Sequence, residues 1–261
     1  MKTIFIAAAI LLCAAACRRA TVPATTPVLN REITNENGQL ILAGHASAAA
    51  MQLPNYKAWF DQSYNSYTVD TETAGQVRPL LKDMRMQIFL GTWCGDSRRE
   101  TPRMLRLLKE AGMDSTRVDL IFVDNTSRQY KQSPEHEERG LNIHHVPTFI
   151  LYVQGKEKGR IVESPVVSLE KDMLAILSGA AYEPNYRGIS YWRAQVTTRR
   201  QPMDEQALRP WAAKLQPLTR HRGEFNAYAN MLLAAGDSVE AANVVRLNTL
   251  LYPPPGPLKG E

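Results

Sequence analysis

Three short apolar runs most constrain what this chain can fold into. They lie between polar or helix-forming segments and read "MQIFLGT" (86–92), "VDLIFVDN" (118–125) and "TFILYVQ" (148–154). Runs of this length, without clean alternation of polar and apolar residues, are typical of strands that are buried on both faces. The sequence therefore predicts a sheet whose inner strands are covered on both sides.

The segments around these runs predict an α/β fold. Helical periodicity or composition marks five segments: 56–67, 72–84, 97–111, 126–142 (a short helix and loop) and 168–180. Gly112 would end the third helix, Gly155 fits the turn of a hairpin, and Ser168 can cap the last helix. From residue 86 onward the order is βαβαββα, which predicts a small mixed sheet with helices on both faces.

The last part of the chain predicts an all-α region. Residues 183–224 are polar and arginine-rich and fit helices with irregular joins, and 225–253 fit two antiparallel helices broken at Gly236. The spacing in this helical hairpin resembles a tetratricopeptide unit at Phe225, Tyr228, Ala229, Leu232, Gly236, Ala241, Val245 and Pro253. An array needs about three units, so a hairpin packed on the α/β domain is expected, with a partner-binding platform as the alternative.

The first seventeen residues, "MKTIFIAAAILLCAAAC", have the pattern of a targeting segment. Lys2 supplies a positive charge, and the apolar stretch 4–16 is short for crossing a bilayer and ends in small residues before Cys17. This resembles a bacterial lipoprotein signal, in which that cysteine is lipidated; an ordinary secretory signal cut near Ala16 is the alternative. The predicted organisation is a signal peptide at 1–17, a tether at 18–40, the α/β domain with an N-terminal helical extension at 41–182, and a C-terminal helical region at 183–261.

Charge and cysteine content narrow the class of partner. The chain has 31 Lys and Arg against 26 Asp and Glu, a net charge of +5, but the basic residues are scattered. Without a basic stripe with interleaved aromatic residues, a nucleic-acid binder is not indicated.

Cys13 would leave with the signal and Cys17 would carry lipid, so Cys94 would be the only free thiol of the mature protein.

Cys94 stands where the first apolar run passes into the helix predicted at 97–111. A cysteine at a helix start faces unpaired backbone N–H groups and the positive end of the helix dipole, and both favour thiolate over thiol. Ser97 lies one turn further on, where its hydroxyl can donate a hydrogen bond to the sulfur. Asp96 disfavours the thiolate by like charge, and the two following arginines favour it. The sequence therefore does not decide whether the thiolate or the thiol form of Cys94 is favoured.

The stretch "TWCGDS" (92–97) resembles the thioredoxin active site, Trp-Cys-Gly-Pro-Cys, with Trp93 and Cys94 kept. Pro102 stands eight residues after the cysteine, where thioredoxins carry a helix-kinking proline. "HHVPTF" (144–149) resembles the segment that holds the family's cis-proline. The resemblance covers about residues 55–180 and implies a thioredoxin-like fold, closest to exported, membrane-tethered thiol–disulfide proteins.

The resemblance also implies the roles of individual residues. The catalytic set would be Cys94, Ser97 and Pro147, and the substrate-binding set would be Trp93, Gly95, Asp96 and Val146, the last through its backbone. No cofactor and no metal are implied. His145, two residues before the proline, is a candidate charge partner for the sulfur.

Two departures from the family pattern decide the kind of chemistry that is expected. Ser97 replaces the resolving cysteine, and Ile88 lies where many thioredoxins have a buried acid. A self-contained dithiol reductase is therefore excluded. A single thiolate can attack a disulfide and form a mixed disulfide, which an external thiol must release. The expected partners are a disulfide-containing protein or a small-thiol adduct, an external thiol reductant, and a membrane through the lipid anchor.

The sequence leaves three alternatives to this chemistry. The domain can be a redox-silent binding module in which Cys94 is a small, partly buried residue. Copper binding would use Cys94 with His136, His144 and His145, although the copper-binding relatives use two cysteines. A peroxiredoxin-type peroxidase is disfavoured because its motif is Thr-x-x-Cys, whereas Thr92 is only two residues before the cysteine.

Overall fold

A computed structural model describes residues 29–196 and 201–253. The strands are Glu32–Thr34 (β1), Leu40–Leu42 (β2), Gly44–Ala46 (β3), Met84–Leu90 (β4), Val118–Phe122 (β5), Thr148–Val153 (β6) and Lys156–Val162 (β7). The α-helices are Pro54–Ser66 (α1), Thr71–Val77 (α2), Gly95–Glu110 (α3), Leu169–Ser178 (α4), Arg187–Val196 (α5), Glu205–Leu215 (α6), Gly223–Ala234 (α7) and Ser238–Leu251 (α8). The predicted signal peptide, with Cys13 and Cys17, lies outside the described residues.

A five-stranded mixed sheet forms the centre of the α/β region, in the order β3-β5-β4-β6-β7. The middle strand β4 runs parallel to β5, with Ile88 opposite Leu120, and antiparallel to β6, with Ile88 opposite Phe149. Gln154 and Gly155 join β6 to β7 with φ angles of 52° and 75°, as a type I′ hairpin turn requires. The three predicted strands and the predicted hairpin are confirmed.

Side chains on the two faces of this sheet are buried in different ways. Met86, Ile88 and Phe149 belong to the main apolar core, to which α1, α2, α3 and α4 contribute. Phe89 and Ile150 point to the other face and belong to a smaller cluster of strand and loop residues. The inner strands are therefore covered on both sides, as predicted, but the second face is covered by a loop.

That loop connects β5 to β6, and it differs from the sequence-based prediction. The sequence predicts a short helix within 126–142, whereas the structure has turns there. Four residues have φ between 56° and 75°, which is outside the helical region, and Pro134 has no backbone N–H to donate to a helical hydrogen bond. These residues are Lys131, His136, Gly140 and Asn142.

The N-terminal part also differs from the prediction, because the tether expected at 18–40 overlaps regular structure. β1 and β2 pair antiparallel across a turn in which the Asn35 side chain accepts hydrogen bonds from the N–H groups of Asn37 and Gln39. β3 then pairs antiparallel with β5 at the edge of the main sheet. Each of these strands has three residues, too few for a hydrophobic period to show in the sequence.

The helices α5 to α8 form a second core around Trp192. The Trp192 side chain is fully buried, and its Nε1 donates to Glu240 Oε1 at 2.6 Å. The predicted break at Gly236 is confirmed, since α7 ends at Ala234 and α8 begins at Ser238. In the part of the chain that the structure describes, no helix is both long and apolar enough to cross a membrane.

Candidate functional site

The candidate site begins at the turn that joins β4 to α3. The Cys94 N–H donates to the Gly91 carbonyl, and the Cys94 carbonyl accepts from the Arg98 N–H, both at 3.0 Å. Cys94 is therefore the N-cap of α3, and its side chain is half-buried. The N–H groups of a helix's first turn have no helical partners and carry the positive end of the dipole, so the sulfur lies where negative charge is favoured.

Gly91 and Trp93 fix the shape of this turn. A Cβ added to Gly91 would lie 2.4 Å from the Trp93 ring, so only glycine fits beside the indole. The Trp93 Nε1 donates to the Val123 carbonyl at 2.8 Å. The indole thus ties the turn to the end of the neighbouring strand β5.

Ser97 stabilises the turn from inside. Its side chain is 1% exposed, and its Oγ accepts a hydrogen bond from the Gly91 N–H at 3.2 Å. Among the described residues, Ser97 makes no hydrogen bond to the Cys94 sulfur, which the sequence had allowed. Gly95 is exposed, and Asp96 forms an ion pair with Arg99 at 2.6 Å.

The segment 144–147 faces the sulfur from the other side. The Cys94 Sγ donates to the Val146 carbonyl at 3.2 Å, and the Val146–Pro147 peptide is cis, as the resemblance implied. The Thr148 hydroxyl donates to the His145 carbonyl at 2.7 Å. The fold therefore brings together residues of two sequence motifs that lie about fifty positions apart.

His144 and His145 form a buried pair behind this segment. Their Nδ1 atoms are 2.7 Å apart, so one ring donates and the other accepts. Burial, assisted by the nearby Lys131 charge, lowers the pKa of His145 to about 2. Burial also lowers the pKa of His144 well below its ordinary value. The prediction that His145 is a charge partner is wrong, because its ring is neutral at ordinary pH.

The cation at this site is Lys131, which no sequence signal had identified. Its side chain is 4% exposed, its Nζ donates to the His144 carbonyl, and it lies 4.7 Å from the centre of the Tyr130 ring. Burial lowers the pKa of Lys131 to about 8, against the opposing negative charges of Cys94 and Glu163. The loop thus holds a buried positive charge close to the sulfur.

The helical region covers the back of the same segment. The Tyr186 ring stacks on His145 with 3.7 Å between ring centres, and its hydroxyl donates to the Glu163 carboxylate. Tyr228 of α7 meets the His144 ring edge-on at 5.8 Å. Burial raises the pKa of Glu163. No sequence signal pointed to these contacts, since Tyr186 lies in the arginine-rich part that has no clear periodicity.

Other candidate residues lie away from this site. His136 faces Glu138 at 3.3 Å, and Ile88 is buried in the main core. Within residues 29–196 and 201–253, no group of three or more His, Cys, Asp or Glu side chains could hold a metal ion. The copper alternative therefore lacks a ligand set in this part of the chain.

No family model and no curated protein match this chain. Two solved structures resemble it, a protein of unknown function from Pseudomonas aeruginosa and an HIV epitope-scaffold. Each is 16% identical, covers 53% of this chain and 94% of its own, and superposes with a TM-score of 0.39. At this identity and TM-score, neither structure indicates a function for this chain.

Proposed function

We propose that this chain is an exported, thioredoxin-like protein that exchanges disulfides through Cys94 alone. The observation that carries the proposal is the position of the sulfur, at the N-cap of α3 and 3.2 Å from the Val146 carbonyl. The two stretches that resemble thioredoxin, 92–97 and 144–149, meet at this sulfur. The mixed sheet with β4 in its middle also supports the family assignment.

The proposed reaction is a series of exchanges, and each replaces one S–S bond by another. The Cys94 thiolate attacks one sulfur of a partner disulfide, so the Cys94–partner bond forms as the partner's bond breaks. The expelled partner sulfur keeps the electron pair and takes a proton from water. One external thiol then attacks the partner sulfur and expels Cys94, and a second external thiol removes the adduct left on the partner, so the partner disulfide is reduced while the two external thiols become a disulfide. If a third partner thiolate, one outside the original disulfide, expels Cys94 instead, the partner is isomerised.

The surfaces beside the sulfur supply the proposed partner contacts. Gly95 is exposed, Trp93 and Asp96 are half-buried, and the backbone of Val146 borders the sulfur. When Cys94 forms a mixed disulfide it loses its S–H group, so the Val146 carbonyl becomes free to accept a hydrogen bond from the partner. Ser97 would keep the turn in shape, because its hydroxyl is held by the Gly91 N–H.

The N-terminal sequence supports a location at the cell envelope. We propose that Cys17 carries a lipid anchor and that the α/β domain acts next to the membrane, with an external thiol as reductant. The helices α7 and α8 are proposed to be a single tetratricopeptide-like hairpin. Their buried residues Phe225, Tyr228, Ala229 and Leu232 support this, and the packing of α7 near the 144–147 segment indicates a structural role.

A redox-silent binding module is the second candidate, and one contact favours it. The bond from the Cys94 sulfur to the Val146 carbonyl needs an S–H donor, which is the neutral and unreactive form. In that case the half-buried thiol would only pack against the segment 144–147. The two candidates differ in whether Cys94 forms adducts in the native protein.

The test is to search for adducts of Cys94 in cells. Cell-envelope fractions are quenched with acid, alkylated and run on non-reducing gels, with the full chain detected by an antibody. We expect membrane-bound, slower-migrating species that disappear on adding dithiothreitol, because Ser97 is a far weaker nucleophile than a resolving thiolate.

The matched variant is Cys94→Ala, which should lack these species while keeping the fold and the membrane location. Cys17→Ser should retain the adducts but release the protein from the membrane fraction. The absence of adducts from the unaltered chain under oxidising growth would favour the redox-silent module.

A further inference from the structure

We propose that Lys131 is a positioning residue whose buried ammonium group holds Cys94 in the thiolate form. The inference deepens the proposed function, on which it rests, and assigns a task to a residue outside every motif of the sequence. It also supplies the site with a charge that neither Ile88 nor His145 can provide, since one is apolar and the other is neutral.

The geometry places both groups at one short piece of chain. The Lys131 Nζ donates to the His144 carbonyl, and the Cys94 Sγ contacts the Val146 carbonyl. Two residues of fully extended chain span at most about 7 Å. The ammonium and the sulfur therefore reach the segment 144–147 at carbonyls only two residues apart, one from the loop and the other from the helix start.

Burial makes a counter-charge necessary. Lys131 is 4% exposed, and a buried charge is costly unless it is paired. Among the described residues it forms no ion pair with a carboxylate; its contacts are the His144 carbonyl and the Tyr130 ring. An anion close by would stabilise it, and the thiolate of Cys94 is one such anion.

The other charged and titratable groups around Lys131 balance its charge less well than the Cys94 thiolate does. Those that face it, or face its neighbours, are Tyr130, His144, His145, Glu163, Asp96, Tyr186 and His221. The two buried histidines are neutral. The Glu163 carboxylate accepts the Tyr186 hydroxyl and also acts on Lys131, but less strongly than Cys94 does, and Asp96 is paired with an arginine. The Cys94 thiolate is thus the strongest of the negative charges that act on Lys131.

This pairing has a consequence for the reaction. When Cys94 attacks a disulfide, its negative charge passes to the expelled sulfur, and Lys131 loses its counter-charge. When an external thiol expels Cys94 again, the thiolate returns beside the ammonium. The buried charge therefore favours both the reactive thiolate and its release as leaving group, without transferring a proton itself.

The test compares two matched substitutions in the full chain. Lys131→Met keeps the length of the apolar stem and removes the charge, and Lys109→Met makes the same change on an exposed residue of α3 about 20 Å from Cys94. The alkylation rate of Cys94 by iodoacetamide is followed from pH 5 to 10 by mass spectrometry of its peptide. Lys131→Met should lower the rate at pH 7 about tenfold and move the midpoint up by about one pH unit. Lys109→Met should leave the profile unchanged.

A second measurement does not depend on the variant folding. Cys94 is blocked with a neutral methylthio group, and the Lys131 side chain is titrated by NMR in the blocked and the free protein. Because linkage is reciprocal, removing the thiolate should lower the pKa of Lys131 below its starting value of about 8. An unchanged lysine titration, or an unchanged alkylation profile in folded Lys131→Met, would overturn the proposal.

The proposed function and this inference can fail separately. A Lys131-dependent alkylation profile in a chain that forms no adducts in cells would support the charge pairing while removing the redox function. Adducts that form in cells as readily in Lys131→Met as in the unaltered chain, with the same alkylation profile, would support the redox function and overturn the pairing.

Discussion

The Cys94 sulfur lies between the turn 91–97, which carries it, and the loop between β5 and β6. The turn and the loop are held in place by different kinds of contact. The turn is held by bonds within itself, from Cys94 N–H to the Gly91 carbonyl and from Gly91 N–H to Ser97. The loop has bonds within itself, such as that from Lys131 to the His144 carbonyl, but it is also covered by other elements, as where the Tyr186 ring stacks on His145. The shape of the turn is thus specified locally, whereas the shape of the loop depends on its burial.

The two sides also differ in their electrostatics. The turn offers the sulfur the N-terminal dipole of α3, which is a property of the backbone. The loop offers a buried ammonium and two neutral imidazoles, whose states depend on being covered by Tyr186 and Tyr228. The stability that the loop contributes should therefore depend on pH. The stability that the turn contributes should instead depend on the size of its side chains.

The largest expected effect is a loss of stability in mild acid, caused by the histidines of the loop. The pKa of His145 is lowered to about 2 and that of His144 is also lowered, so the unfolded chain binds more protons below about pH 6.5. Their contribution is complete above pH 6.5 and is lost as the pH falls. His145 alone should reduce the free energy of unfolding by about 2 kcal/mol at pH 5 relative to pH 7.5, and His144 should add to this loss.

Urea unfolding at the two pH values checks this, with His145→Phe as the matched variant. Phenylalanine keeps a ring against Tyr186 but cannot take up a proton, so the acid-dependent loss should become smaller by about 2 kcal/mol. If the variant loses as much stability between pH 7.5 and 5 as the unaltered chain does, the neutral buried pair is not responsible.

A smaller effect is expected from added volume in the turn. A Cβ on Gly91 would meet the Trp93 ring at 2.4 Å, whereas a Cβ on Gly95 would meet nothing within 4 Å. Gly91→Ala should displace the indole from the Val123 carbonyl and lower the free energy of unfolding by about 1–3 kcal/mol. Gly95→Ala, in the same turn, should change it by less than about 0.5 kcal/mol.

Urea unfolding and Trp fluorescence compare the two variants. The Trp93 signal should change in Gly91→Ala and stay the same in Gly95→Ala. Equal stabilities of the two alanine variants would show that the turn adapts, contrary to the packing described for Gly91.

The strands and the turn could be predicted from the sequence because their signals are local. The apolar runs at 86–92 and 118–125 have the length of buried strands, and Ser168 does cap α4 through a hydrogen bond from the Lys171 N–H. The α/β class and the C-terminal helices followed from the same kind of signal. In each case a few neighbouring residues are enough to specify the conformation.

The loop side of the site could not be predicted, for a physical reason. Its polar residues are those of an exposed segment, yet Lys131 and His144 are buried because other elements cover them. Burial of that kind is decided by tertiary contacts, including Tyr186 from the helical region. The short helix predicted within 126–142 is absent because four residues there have positive φ, which an α-helix does not allow.

Cys94 is proposed to react with disulfides without a second thiol that could release the product. The most direct measurement of this reaction uses a small aromatic disulfide, dithiobis(nitrobenzoate), in excess over a chain that carries Cys13→Ala and Cys17→Ala. The released thionitrobenzoate is counted by absorbance, and the adduct is weighed by mass spectrometry. The same chain with Ser97→Cys is the matched comparison.

We predict that the chain with Ser97 releases one equivalent of thionitrobenzoate and keeps the other as a Cys94 adduct until a small thiol is added. With Ser97→Cys we predict two equivalents and an internal disulfide between Cys94 and the introduced thiol, because that thiol attacks the adduct. A Cys94 thiol that stays unreactive in the folded chain and reacts only after unfolding in urea would contradict the proposal.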